Sequence, residues 1–130
     1  MVEPILKWAG GKRQLLTDIT ALFPVTYHAY HEPFVGGGAV FFHLDPDSGT
    51  INDLNGRLTT FYEVVRDHPD QLIAENKTHE YAEEYFYQAR ERFNQALSNS
   101  TVTREDRIQE ASLLLYLNRT CFNGLYRENN

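Results

Sequence analysis

The chain has 130 residues, of which 42% are apolar, so it is long enough for one folded domain with a core of its own. Its formal net charge of −6 argues against a surface that is basic all round, although one binding face can still carry lysine and arginine. The single cysteine, Cys121, excludes an internal disulfide. No apolar run reaches membrane-spanning length, so we expect a cytoplasmic protein without membrane contact.

The first half of the chain alternates between helical and extended patterns. Apolar residues recur at helical spacing between 12 and 23 and stop at Pro24, which predicts an amphipathic helix. Four further segments continue the alternation: a strand end at 27–31, a helix at 39–44, a strand at 50–52 and a helix from 55 to 68. Alternation of this kind predicts a parallel sheet with helices beside it.

The second half shows helical periodicity only. One helical stretch covers 69–97, with an aromatic and apolar stripe at Tyr81, Tyr85, Ala89, Phe93 and Leu97 that we interpret as packing between helices. A second helix covers 103–117 and is predicted to begin with a cap formed by Thr103 and Asp106. We therefore place a domain boundary near Asp67, with an α/β part at 1–67 and a helical part at 68–130.

A glycine turn joins the first strand to the short helix. It belongs to the segment Glu-Pro-Phe-Val-Gly-Gly-Gly at 32–38, where glycines allow a ligand to approach the backbone. Asp53 follows the second strand and lies 17 residues beyond Gly36. In nucleotide-binding sheets an acid at this place accepts hydrogen bonds from ribose hydroxyls. The pattern predicts a site for a cofactor that contains adenosine.

The glycine-rich segments can be compared with the sequence patterns of three kinds of binding site. A dinucleotide fingerprint needs a third glycine where this chain has Phe41, which disfavours an NAD-type oxidoreductase. A phosphate-binding loop at 9–12 fails because Arg13 follows the lysine in place of serine or threonine. A turn without pyrophosphate features suits S-adenosylmethionine. The alternatives left open are a purely structural turn and, for Asp53, a simple helix cap.

Four segments occur in the order found in one enzyme family. They are Lys-Trp-Ala-Gly-Gly-Lys at 7–12, the glycine turn at 32–38, Asn-Asp-Leu-Asn at 52–55, and Asn-Arg-Thr-Cys-Phe-Asn-Gly-Leu-Tyr-Arg at 118–127. In these segments the chain resembles the Dam-type DNA adenine-N6 methyltransferases of the D12 class. The resemblance implies a Rossmann-like S-adenosylmethionine-dependent methyltransferase sheet with an inserted helical DNA-recognition domain.

The resemblance also implies roles for individual residues. The residues expected to bind S-adenosylmethionine are Trp8, Lys12, Phe34, Gly36, Gly38 and Asp53. The residues expected to contact double-stranded DNA are Lys7, Phe122, Asn123, Leu125 and Arg127, the last four at the start of a hairpin that enters the DNA. The implied reaction is methyl transfer to N6 of adenine, within GATC. No metal site is expected, because the histidines lack the spacing of metal ligands.

One family motif is missing from the sequence. These enzymes carry a tetrapeptide of the Asp-Pro-Pro-Tyr type, and the chain contains no Pro-Pro pair. We therefore expect the N-terminal portion of a methyltransferase that carries no catalytic residues of its own and is inactive alone. Its missing C-terminal portion would act in cis or in trans. The alternative is a catalytically silent DNA- or cofactor-binding module that works with a second polypeptide.

Overall fold

The computed structural model describes residues 2–96 and 102–121. The chain forms two compact units, Met1–Asn55 and Gly56–Asn130. The first unit mixes helices with a small sheet, and the described part of the second is helical. No helix in the described part of the chain is long and apolar enough to cross a bilayer.

The first unit contains two short strands and short helices. In chain order its elements are a 3₁₀ helix at Lys12–Leu15, α1 at Leu16–Ala21, β1 at Tyr30–Glu32, α2 at Ala39–Leu44 and β2 at Gly49–Ile51. The strands are parallel, with Tyr30 opposite Gly49 and Glu32 opposite Ile51. This sheet confirms the predicted strand–helix–strand order and the parallel pairing, as an incomplete methyltransferase sheet requires.

The ends of two elements differ from the prediction. The predicted helix at 12–23 starts as a 3₁₀ helix, because Leu15 leaves the helical region with φ −101° and ψ 1°, and the α-helix begins only at Leu16. The first strand starts at Tyr30, since β2 is three residues long and offers partners only as far as Gly49. The strand prediction for 27–29 was therefore wrong.

The second unit consists of four helices in its described part. They are α3 at Gly56–Asp67, α4 at Pro69–Asn76, α5 at Glu83–Gln95 and α6 at Arg104–Thr120. Helix α6 packs against each of the other three. The core of the second unit contains the fully buried side chains of Leu58, Phe61, Ala89, Phe93 and Leu114. Burial of this apolar surface is the main stabilising contribution to the unit.

The start of α6 and the aromatic stripe can be compared with the predictions made for them. The Thr103 hydroxyl accepts from the Asp106 N–H at 3.1 Å, and the Asp106 carboxylate accepts from the Thr103 N–H at 3.0 Å, which confirms the predicted cap. Ala89 and Phe93 are buried as expected, whereas Tyr81 precedes α5 and is 85% exposed. Tyr81 therefore lies outside the helical stripe, although its ring lies 6.1 Å from the Tyr116 ring of α6.

Helix α3 belongs to the second unit. Its residues were predicted to belong to the α/β part at 1–67, but α3 packs against α4 and α6, and the compact units divide after Asn55. The apolar face of α3, with Leu58 and Phe61, is filled by these helices. The functional division at 67 and 68, into a cofactor-binding and a target-recognition part, stays a prediction.

Candidate functional site

The glycine turn after β1 requires left-handed backbone at two positions. Gly36 has φ +52° and Gly38 has φ +81°, values that strain any residue with a Cβ. The Val35 N–H donates to the Asn52 carbonyl at 2.9 Å and so continues the parallel pairing beyond β1 and β2. The Gly38 N–H donates to the Val35 carbonyl at 2.8 Å, which closes the turn before α2.

Asp53 fastens this turn to the end of β2. Its Oδ2 accepts from the Gly36 N–H at 2.9 Å, and its Oδ1 accepts from the Asn55 N–H at 2.9 Å. The second contact is the local turn expected of an aspartate, while the first is a link to the glycine turn. Each carboxylate oxygen has a further lone pair, so ligand hydroxyls can still donate to this half-buried group.

Trp8 packs against the same turn. A Cβ added at Gly37 would lie 2.9 Å from the Trp8 Cβ, and one added at Gly36 would lie 3.4 Å from the Trp8 Cδ1. A side chain at position 37 would therefore require the backbone near Trp8 to shift, whereas the indole leaves ordinary contact distance at position 36. A second turn follows Trp8, in which the Gly11 N–H donates to the Trp8 carbonyl at 3.1 Å and Gly10 has φ +73°. This turn brings the chain round to Lys12.

Lys12 is held by two acceptors from the segment at 32–38. Its Nζ donates to Glu32 Oε1 at 2.6 Å and to the Phe34 carbonyl at 2.7 Å. The Glu32 side chain is only 7% exposed, whereas that of Lys12 is 38% exposed. A buried carboxylate paired with a partly exposed ammonium fixes a cation at the edge of the glycine turn.

Tyr30 completes the contacts of Glu32. Its hydroxyl donates to Glu32 Oε2 at 2.5 Å. Burial, and then the adjacent Glu32 carboxylate, raise the pKa of the Tyr30 phenol, which keeps it a hydrogen-bond donor. Neither Tyr30 nor Glu32 was predicted from the sequence as a site residue. Their i, i+2 spacing in a strand, which puts two side chains on one face, was the available signal.

The structure brings the predicted cofactor-binding residues together around one turn, within the first unit. They are Trp8, Lys12, Phe34, Gly36, Gly38 and Asp53. The side chain of Phe34 is exposed at 68%, although its carbonyl holds Lys12. Among the residues predicted to contact DNA, Lys7 is exposed. Phe122, Asn123, Leu125 and Arg127 lie outside the described residues.

This arrangement combines a fixed cation, a carboxylate and an indole. Such groups suit a ligand that carries an anionic group, hydroxyls and a flat ring, which are the carboxylate, ribose and adenine of S-adenosylmethionine. Within the described ranges, no cluster of three or more histidine, cysteine, aspartate or glutamate residues could hold a metal ion. The residues present therefore fit a nucleoside ligand.

Comparison with known proteins shows the family to which the chain is similar. The family model of the D12 class N6 adenine-specific DNA methyltransferases matches residues 8–130. A type II methyltransferase of Lactococcus lactis subsp. cremoris is 39% identical over 130 residues, which cover 98% of this chain and 44% of the relative. A type II methyltransferase of Methanocaldococcus jannaschii is 36% identical over 146 residues, covering 98% of this chain and 49% of the relative.

A DNA adenine methylase of Escherichia coli strain K12 is 38% identical over 128 residues. The match covers 95% of this chain and 43% of that protein. The chain thus spans less than half the length of these curated relatives.

Proposed function

The chain belongs to the D12 class of N6 adenine-specific DNA methyltransferases, and we propose that it supplies the S-adenosylmethionine pocket of such an enzyme. The observation that carries this proposal is the set of contacts around the glycine turn. Asp53 holds the Gly36 N–H, and Lys12 is fixed on Glu32 and the Phe34 carbonyl.

Each part of the cofactor has a partner in this pocket. Asp53 accepts hydrogen bonds from the ribose hydroxyls, and Trp8 and Phe34 contact the flat and apolar parts. Lys12 faces the anionic carboxylate of the methionyl group. Glycine at 36 and 38 lets the ligand approach the backbone. S-adenosylmethionine, when bound, supplies an activated methyl group to the acceptor nitrogen.

The proposed acceptor is N6 of an adenine that has left the base stack of duplex DNA. Methyl transfer then depends on positioning of the amino nitrogen against the methyl group and on the electrostatics around it. The Asp-Pro-Pro-Tyr type tetrapeptide that would hold the amino group does not occur in these 130 residues. The residues of this chain therefore bind and orient the cofactor, and the chain alone is inactive.

Lys7 and residues 122–127 are proposed to contact the DNA. Arginine recognises guanine with two hydrogen bonds, and asparagine recognises adenine, so Arg127 and Asn123 suit base reading. Phe122 and Leu125 suit the unstacking of a base step. The proposed target GATC rests on the family resemblance. In a completed enzyme Arg127→Ala should lose about 1–3 kcal/mol of discrimination at one base pair. Equal loss on cognate and altered sites would instead assign Arg127 to a phosphate.

Calorimetry with Asp53→Ala tests the cofactor site. The wild-type chain should bind S-adenosylmethionine, and Asp53→Ala should lose about 1.5–3 kcal/mol of binding free energy, because two charge-assisted hydrogen bonds disappear. Asp47→Ala, in the exposed loop between α2 and β2, is the matched control and should leave affinity unchanged. Unchanged affinity of a folded Asp53→Ala chain would leave Asp53 with only its structural contacts.

Transfer of tritiated methyl groups tests the activity. The chain alone should not label unmethylated DNA containing GATC. Addition of a polypeptide that carries the tetrapeptide, in cis or in trans, should restore labelling. Labelling by the chain alone would overturn its proposed inactivity, and cofactor binding without restored labelling would favour a silent binding module.

A further inference from the structure

We propose that Tyr30 is a positioning residue, whose hydroxyl orients the Glu32 carboxylate so that Glu32 holds the Lys12 ammonium ready for an anionic group of the cofactor. The inference rests on the proposed function, because the ligand is the one proposed for the glycine turn. On this proposal Tyr30 does not touch the ligand. It acts through Glu32, to which its hydroxyl donates at 2.5 Å.

The Lys12 ammonium keeps one N–H donor that can serve a ligand. A lysine ammonium has three N–H donors. Two of them are used, by Glu32 Oε1 at 2.6 Å and by the Phe34 carbonyl at 2.7 Å. One donor therefore remains on a side chain that is 38% exposed. Because a lysine stem is flexible, this donor has a defined direction only while both acceptors are in place.

The buried Glu32 carboxylate accepts one hydrogen bond from Tyr30 and one from Lys12. This carboxylate is nearly enclosed, and a buried carboxylate is stable only when its oxygens accept hydrogen bonds. Tyr30 occupies Oε2 and leaves Oε1 for Lys12. Removal of the phenol hydroxyl leaves Oε2 without this donor, and of the two described side chains that donate to this carboxylate only Lys12 is then left to serve both oxygens. The ammonium would then lose its fixed place beside the Phe34 carbonyl.

The Tyr30 ring packs against a side chain of α2. It lies 6.4 Å from the Phe41 ring at an interplanar angle of 29°, a stacked arrangement. Tyr30 and Glu32 also share one face of β1, and the N–H of Asn52, the residue after β2, donates to the Glu32 carbonyl at 2.8 Å. The sheet therefore holds the backbone of Tyr30, and Phe41 of α2 packs against its ring.

The first test observes Lys12 without any ligand. Nuclear magnetic resonance of the Lys12 Nζ group in the full chain reports its mobility and the exchange of its protons with water. Tyr30→Phe should make the ammonium several-fold more mobile and faster in exchange. Tyr27→Phe is the matched control, because the half-exposed Tyr27 hydroxyl has no hydrogen-bond partner among the described residues. Identical Lys12 signals in wild-type and Tyr30→Phe chains would overturn the inference.

The second test measures S-adenosylmethionine binding by calorimetry. Tyr30→Phe should weaken affinity about three- to tenfold, the value of one hydrogen bond, and Tyr27→Phe should not. In a Lys12→Gln background Tyr30→Phe should have no further effect, because a positioning role acts through Lys12. A purely structural role would weaken affinity equally in both backgrounds and would overturn the inference.

Two outcomes separate this inference from the proposed function. A wild-type chain that does not bind S-adenosylmethionine contradicts the proposed function and the ligand named here. Binding that is equal in wild-type and Tyr30→Phe chains contradicts only the role of Tyr30. If Tyr30→Phe fails to fold, Glu32→Gln provides the same test, because it removes the charge that attracts Lys12 and keeps the size of the side chain. It should loosen Lys12 and weaken binding.

Discussion

Among the described residues, the largest fully buried side chains all lie in the unit Gly56–Asn130, although Tyr81 and Tyr87 are exposed there, whereas in Met1–Asn55 several large apolar side chains face solvent. Phe61 and Phe93 are fully buried, but Leu22 is 86% exposed and Val25 is 100% exposed. The helical unit therefore draws its stability from a packed apolar core. The unit with the sheet depends more on short strands, turns and the polar contacts around its glycine turn.

Buried polar groups also serve different purposes in the two units. In the helical unit Arg57 donates to the Phe93 carbonyl at 2.7 Å and lies 3.6 Å above the Phe93 ring, which ties α3 to α5. In the other unit the buried Glu32 fixes a partly exposed lysine. The first contact joins core helices, and the second presents a charge at the surface. We therefore expect substitutions in the helical unit to affect mainly stability, and substitutions around the glycine turn to affect mainly the proposed binding of the cofactor.

Replacement of a phenylalanine by alanine should lower stability in one unit and cofactor binding in the other. Phe93→Ala should cost about 3–5 kcal/mol of unfolding free energy, because a fully buried ring leaves a cavity and Arg57 loses its aromatic neighbour. Phe34→Ala should change stability by less than about 0.5 kcal/mol, since its ring is 68% exposed. It should instead weaken S-adenosylmethionine binding by about 1 kcal/mol. Urea unfolding and calorimetry measure the two effects, and similar losses of stability would break the comparison.

The features predictable from sequence are the local ones. Helix α2, strand β2 and the Thr103 cap follow from residue types within a few positions of one another. The nearness of Asp53 to Gly36 was also predictable, because parallel strands place their carboxyl ends at one edge of a sheet.

The features that escaped prediction depend on pairing between distant segments. Lys12 and Glu32 are 20 positions apart and meet only because the turn after Trp8 brings the chain back towards β1. The apolar face of α3 was visible in the sequence, but periodicity does not say which unit will cover it. The division after Asn55 therefore had to come from the packing of α3 on α4 and α6.

The buried histidine of the helical unit gives the next largest effect. His79 Nδ1 lies 2.8 Å from the Tyr85 hydroxyl, and Nε2 lies 2.7 Å from the fully buried Ser112 hydroxyl. His79→Leu should cost about 1–3 kcal/mol of unfolding free energy at pH 8, because both hydroxyls lose a partner. His43→Leu, at an exposed position of α2, is the control and should cost much less.

The free energy of unfolding is expected to depend on pH through His79. Burial, and then the positive charge of Arg92, lower the pKa of His79. The folded chain thus binds fewer protons than the unfolded chain, so this contribution is complete above about pH 6.5 and is lost as pH falls through the folded-state pKa. Urea unfolding between pH 8 and pH 5 should show this decline in wild type. A decline that is equally steep in His79→Leu would assign it to other groups.

The smallest effect concerns the start of α6. Thr103→Ala should cost about 1 kcal/mol of unfolding free energy, because the Asp106 N–H loses the hydroxyl that accepts from it at 3.1 Å. Thr17→Ala is the matched control, since Thr17 is exposed in α1 and its hydroxyl caps no helix. The two halves of the cap act together, so the double variant with Asp106→Ala should lose less than the sum of the single losses. Cofactor affinity should stay unchanged in all of these variants, because the cap lies in the helical unit. A loss of affinity with Thr103→Ala in a fully folded chain would show that the two units do not divide stability and binding between them.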